Sequence, residues 1–171
     1  MKTHLHVIGC IILAAVAFLS SFETRAQDAP PQGGFKNPYL TVNKSGKVTL
    51  SYSRWGEQVG KGSYTLVVLW TPGDTEEPDG TSFVQAVYQK YRGKGLSVLG
   101  VPIGDELDLT MSEMTARGIT YPQLVDVDED PSGRFDYDVL PYVVLLDPKG
   151  KTVAEGLREE GIEAAVREHL P

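Results

Sequence analysis

The acidic residues Asp74, Glu76, Glu77 and Asp79 crowd the stretch LWTPGDTEEPDGTSF, residues 69–83, directly after an apolar run. Carboxylates this close repel one another, and a hard cation with oxygen ligands relieves the repulsion, so weak calcium or magnesium binding is one chemistry the spacing allows. Hydrolysis by Asp74 and Glu77 is another, but no nucleophile or base partner accompanies them. A third reading is local. Asp74 with Glu77 forms a capping-box-like pair contributing about 1 kcal/mol, with about 0.3 to 1 kcal/mol more from the helix dipole. Pro78 opposes it at up to about 3 kcal/mol inside a helix, which outweighs the cap. The spacing therefore predicts a helix starting between Asp79 and Thr81, capped by Asp79, with residues 71–78 as a loop. A second acidic stretch, DVDEDPSG at 126–133, sets Asp126, Asp128 and Asp130 at alternate positions as in a calcium loop. Pro131 stands where such a loop needs glycine and Tyr137 where it needs glutamate, so a simple turn is expected. No resident metal or cofactor is expected.

Other chemistries are narrowed by what the chain lacks. Its opening, MKTHLHVIGCIILAAVAFLSSFETRAQ, has a basic start at Lys2, an apolar run from Val7 to Leu19 too short to span a bilayer, and Ala26 before Gln27. That pattern predicts a secretory signal peptide over residues 1–26 and a periplasmic or secreted protein with no stable membrane span. Lipidation at Cys10 is disfavoured, because the apolar run lies mostly after that cysteine. Cleavage removes the only cysteine, Cys10, together with His4 and His6, leaving His169 near the end. Thiolate catalysis, a Ser-His-Asp relay and structural zinc all need groups that are then missing. On the last turn of a helix, His169 complements the helix dipole. The full chain carries a net charge of −7. Losing Lys2, Arg25 and Glu23 makes it more negative still, so nucleic acid is a poor partner.

The elements that must position any site follow from periodicity. At 171 residues and 41% apolar composition, the chain can bury one good core. Residues 27–37 read as a flexible linker and 38–171 as one domain. Leu40, Val42, Val48, Leu50 and Tyr52 alternate about the turn NKSG, predicting a β-hairpin with one covered face. YTLVVLW, residues 64–70, does not alternate and suits a central strand covered on both sides. Phe83, Val84, Ala86, Val87 and Tyr91 recur at helical spacing up to RGKG, and LSVLGVPI at 96–103 is a second buried strand, completing a βαβ unit. Thr110 with Glu113 reads as the capping box of a second helix closed by Gly118. YPQLVDV supplies a short strand, YVVLLDPKGKTVAEG two strands around the turn DPKG, and Ile162, Ala165, Val166 and Leu170 share one face of a final helix. The order predicts an α/β fold, a mixed central sheet with helices on both faces. In such sheets sites gather at the carboxyl ends of the parallel strands, and TPGDTEEPDG follows one.

The stretch YTLVVLWTPGDTEEPDGTSFVQAVYQKYRGKGLSVLGVPI resembles the core of the thioredoxin superfamily, specifically the secreted bacterial thiol:disulfide oxidoreductases and redoxins. Trp70 matches the tryptophan before their C-x-x-C turn. The match runs without a gap through Gln85, Ala86, Tyr88, Lys90, Tyr91, Lys94, Gly95 and Leu96. VLPYVVLLDPKGKTV resembles their later strands, which implies a cis-proline at Pro141 after Leu140. Roughly residues 38–170 are covered. In the same register Gly73 replaces the second tryptophan, Asp74 the nucleophilic cysteine and Glu77 the resolving one.

The resemblance thus implies a thioredoxin-like fold without its chemistry, since a carboxylate cannot exchange disulfides. The expected function is a redox-inactive module of the bacterial envelope that binds a protein or an extended peptide segment. Its groove is built from Trp70, Asp74, Glu77, Leu140 and Pro141. A redoxin-type enzyme is the alternative that the family's activity implies, and cation binding at residues 74–79 is the other.

Overall fold

The computed structural model describes residues 37–53, 55–73, 80–104, 106–125 and 131–170. The expected signal peptide, most of the linker, the acidic residues 74–79 and Asp126, Asp128 and Asp130 lie outside them. The described chain forms a mixed sheet of seven strands in the order β2-β1-β5-β4-β3-β6-β7.

The centre of the sheet is β3 (Tyr64–Trp70), flanked by β4 (Leu96–Pro102) in parallel and β6 (Tyr142–Leu146) antiparallel. Its continuous apolar run buries both faces by alternation. Leu66, Val68 and Trp70 enter one cluster with Val84, Val87 and Tyr91 of α2 (Gly80–Tyr91) and Ile162 and Val166 of α4 (Glu160–His169). Val67 and Leu69 enter a second cluster with Leu99, Val101, Val144 and Val59, covered in part by Trp55 of the one-turn α1 (Trp55–Gln58) and by Phe135 and Tyr137. Helix α2 is described from Gly80, and the residues before it, on which the expected start and cap at Asp79 rest, lie outside the described residues.

On one side, the hairpin β1 (Asn37–Val42) and β2 (Val48–Ser53) joins the sheet through β5 (Gln123–Leu124). The first strand starts one residue inside the stretch read as linker. Leu40 is fully buried, but Leu50 is 48% exposed, so the hairpin's expected covered face is covered only in part. The reason is position: β2 is the outermost strand, beyond the helices packed over the middle. On the other side, β7 (Thr152–Ala154) pairs β6 across the turn at DPKG. There the Asp147 carboxylate accepts the backbone N–H groups of Lys149 and Lys151 at 2.8 and 2.9 Å.

Helix α3 (Leu107–Ala116) corrects one expectation. It starts a turn earlier than the Thr110–Glu113 capping box requires, and Glu106 at its N-cap makes no side-chain cap bond. Thr110 is instead buried in the helix, its N–H donating to the Glu106 carbonyl at 2.9 Å, and Glu113 accepts from Arg117 Nε at 2.7 Å. Packing of Leu107 and Met111 against the first cluster carries the helix back past the capping motif.

Candidate binding site

The site lies at the carboxyl end of β3, where Trp70 leads into Thr71, Pro72 and Gly73. Facing it is the segment before β6, in which the Leu140–Pro141 peptide bond is cis. Pro141 is buried and Leu140 half-buried. The start of α2 is pressed onto this proline: a Cβ at Gly80 would stand 2.7 Å from Pro141 Cγ, closer than carbon atoms tolerate. Glycine is therefore what lets the helix approach the proline.

Trp70 is 1% exposed, so it offers no surface to a ligand. It anchors the floor of the site. Its indole N–H donates to Gln123 Oε1 at 2.9 Å, and Gln123 Nε2 donates to the Tyr121 carbonyl at 3.0 Å. Gln123 is fully buried, and its amide lies where any Cβ on Gly100 would fall. A glycine in the middle of β4 thus makes room for a glutamine on β5, which satisfies the tryptophan at the end of β3. Arg117 covers the outside of the same ring, its guanidinium carbon 5.9 Å from the indole centroid. Beside it, Gln85 on α2 accepts the Thr120 N–H at 2.9 Å and donates to Thr120 Oγ1 at 2.7 Å, tying α2 to the segment before β5.

Of the residues that sequence reasoning places in the groove, Pro141 meets the start of α2, Leu140 packs against the second cluster, Trp70 is buried in the first cluster at the end of β3, and Asp74 and Glu77 fall outside the described residues. Among the described residues, no group of three or more His, Cys, Asp or Glu is placed to hold a metal ion. His169 stacks on Tyr64 at 5.9 Å, at the opposite end of β3 from Trp70. At strand rise that is roughly 20 Å from the site. Sequence reasoning missed Gln123, Gly100 and Gly80. Their only signals were an amide inside an apolar strand and glycines inside a strand and at a helix start.

The comparisons with known proteins agree with this geometry. A thiol-disulfide oxidoreductase of Bacteroides fragilis superimposes with a TM-score of 0.61 over 80% of this chain and 100% of its own, at 19% identity. The thioredoxin domain of a thiol-disulfide oxidoreductase from Bacteroides vulgatus gives 0.59 over 81% and 97%, also at 19% identity. The fold is thioredoxin-like. Its sheet and the cis-proline facing the end of β3 are where the sequence resemblance put them. No family model matches the chain. A stretch of 66 residues is 26% identical to the thiol-disulfide oxidoreductase ResA of Bacillus subtilis (strain 168), covering 39% of this chain and 37% of that protein. The match thus spans little more than a third of that relative's length.

Proposed function

We propose that this thioredoxin-fold domain is a redox-inactive binding module of the bacterial envelope, exported by a signal peptide over residues 1–26, that takes an extended protein or peptide segment beside Pro141. The observation that carries the reading is the pairing of a preserved scaffold with absent thiols. Gly80 packs on a cis Leu140–Pro141 unit, while Asp74 and Glu77 stand at the cysteine positions of the ungapped register and the only cysteine in the 171 residues is Cys10. Disulfide exchange needs a thiolate to attack and a second thiol to resolve the mixed disulfide, and a single cysteine cannot supply both. The similarity to oxidoreductases supports the location and the groove, and the residue types at 74 and 77 oppose the activity.

The test is insulin reduction by dithiothreitol, followed as turbidity. The expected result is no acceleration by the wild-type protein and a measurable rate from Asp74→Cys/Glu77→Cys. Acceleration by the wild type would overturn the proposal in favour of an enzyme. Measurable Ca²⁺ heats at millimolar metal, lost in Asp74→Asn/Glu77→Gln, would instead favour cation binding at the acidic loop.

A further inference from the structure

The two edges of the sheet are finished differently. At one edge, β7 is three residues long, and its register with β6 shifts between Leu145 and Leu146. Short length and an irregular register keep a sheet edge from pairing further. At the other edge, β2 runs for six residues, VTLSYS, in unbroken register with β1 and with no charge or proline among them. The Asn43 N–H donates to the Lys47 carbonyl at 2.9 Å, which makes those two residues a bonded pair at the head of the hairpin. Bonded and non-bonded pairs alternate along an antiparallel ladder, so Thr49 and Ser51 bond inward to β1. The N–H and C=O groups of Val48, Leu50 and Tyr52 therefore point the other way, where β2 has no neighbouring strand among the described residues. Leu50, in the middle, is also 48% exposed. The edge is held in shape from behind: Thr41 Oγ1 and Thr49 Oγ1 are 2.9 Å apart, and Asn43 Oδ1 accepts the N–H groups of Ser45 and Lys47, both at 2.9 Å. Lys44 and Lys47 stand exposed at this turn, and among the described residues neither meets a carboxylate. Residues 37–53 contain these two cations and no acidic residue.

We infer that β2 takes an extended acidic segment of another protein as an added strand. The segment runs antiparallel to β2, with an apolar residue opposite Leu50 and a carboxylate three residues further along, opposite Lys47. Strand addition of this kind draws affinity from main-chain bonds and register from side-chain contacts at alternate positions. The outward groups of Val48, Leu50 and Tyr52 supply the main-chain bonds. Leu50 and Lys47 are three residues apart, so their side chains lie on opposite faces, and the segment must space its apolar and acidic residues in the same way. Because Lys47 bonds inward, the pair it forms with the added strand is a non-bonded one. Side chains approach most closely at such a pair, and opposite charges there are favourable. A second copy of this chain is the poorer occupant. Pairing β2 with itself about a two-fold axis through Leu50 sets Leu50 against Leu50 but Lys47 against Ser53, which leaves the lysines uncompensated. The edge lies five strand positions from β6, which follows Pro141, so the inference does not depend on the peptide-binding reading above.

The test uses three labelled strand-forming peptides that carry leucine and, three residues later, glutamate, glutamine or lysine, with binding to the full chain read by fluorescence anisotropy. The glutamate peptide should bind about threefold more tightly than the glutamine peptide, and the difference should shrink as salt rises. Lys44→Glu/Lys47→Glu should reverse the preference in favour of the lysine peptide. Leu50→Pro removes an outward N–H without taking a bond from the β1 ladder, a place where an edge strand tolerates proline. It should weaken the glutamate peptide by about tenfold or more. The charge reversal changes only exposed side chains and tests the inference independently of the proline variant. Equal binding of the glutamate and glutamine peptides, no binding of either, an unchanged preference after the charge reversal, or glutamate-peptide binding that survives in folded Leu50→Pro would each overturn the inference. Sedimentation of the chain as a dimer at submillimolar concentration, converted to a monomer by Leu50→Pro, would overturn it in favour of self-pairing.

Discussion

Replacing Gln123 with methionine should test whether the amide under Trp70 holds the end of β3 in place. Methionine keeps the unbranched length that fits over Gly100, so packing is nearly conserved while the amide is lost. The buried indole N–H of Trp70 then has no acceptor, and the Tyr121 carbonyl loses a donor. Each buried polar group left unsatisfied costs about 1 to 3 kcal/mol, which gives about 2 to 6 kcal/mol together. Domains of this kind have about 5 to 15 kcal/mol in total, so the loss is a large fraction of the stability. Urea unfolding followed by far-UV circular dichroism measures it. The sharper measurement is a cycle with Trp70→Phe, which removes the donor instead. If the pair acts as a unit, the double variant should be less damaged than the sum of the singles by about 1 to 2 kcal/mol. Additive losses, or a Gln123→Met cost under about 0.5 kcal/mol, would refute the view that this bond organises the site floor.

Gly80→Ala should bring a Cβ against Pro141, with an overpacking cost of about 1 to 3 kcal/mol partly offset by about 1 kcal/mol of helix propensity. Its urea midpoint should fall slightly while peptide affinity drops several-fold, and wild-type affinity in the variant would show that the close approach does not shape the groove. Glu163 accepts from Lys90 Nζ and from Tyr91 Oη, and these bonds, Lys90 first, hold its carboxyl below the usual range. A depressed carboxylate contributes stability above its unfolded pKa and loses it as pH falls through the folded one. Wild type should therefore lose more stability than Glu163→Gln between about pH 5 and 3, as read by thermal melts. Burial, with a smaller contribution from Tyr88, pushes the Tyr39 phenol up to about 12. Its contribution is complete below the unfolded tyrosine value of about 10 and is lost as pH rises toward 12, so tyrosinate absorbance should show a late-ionising group that Tyr39→Phe removes.

How far the sequence can be read depends on whether a residue's neighbours are local. The continuous run at Tyr64–Trp70 could only be a strand buried on both faces, and it is buried from Thr65 onward. The DPKG turn carries its own hydrogen bonds through Asp147, so it too was legible. Leu50 was not, because alternation marks a face but cannot tell that β2 is an edge strand. The Thr110–Glu113 motif misled, because a capping signal of about 1 kcal/mol is easily overridden by tertiary packing. Gln123 was invisible, since its partner Trp70 lies 53 residues away and an amide in YPQLVD reads as surface. The same distinction explains how a thioredoxin fold persists here without its cysteines. Trp70 on Gln123, and Gly80 on Pro141, are contacts of packing and backbone shape that need no sulfur atom. Under the proposed reading, carboxylates at positions 74 and 77 replace the electron carrier, and neither of these contacts is made by residue 74 or 77.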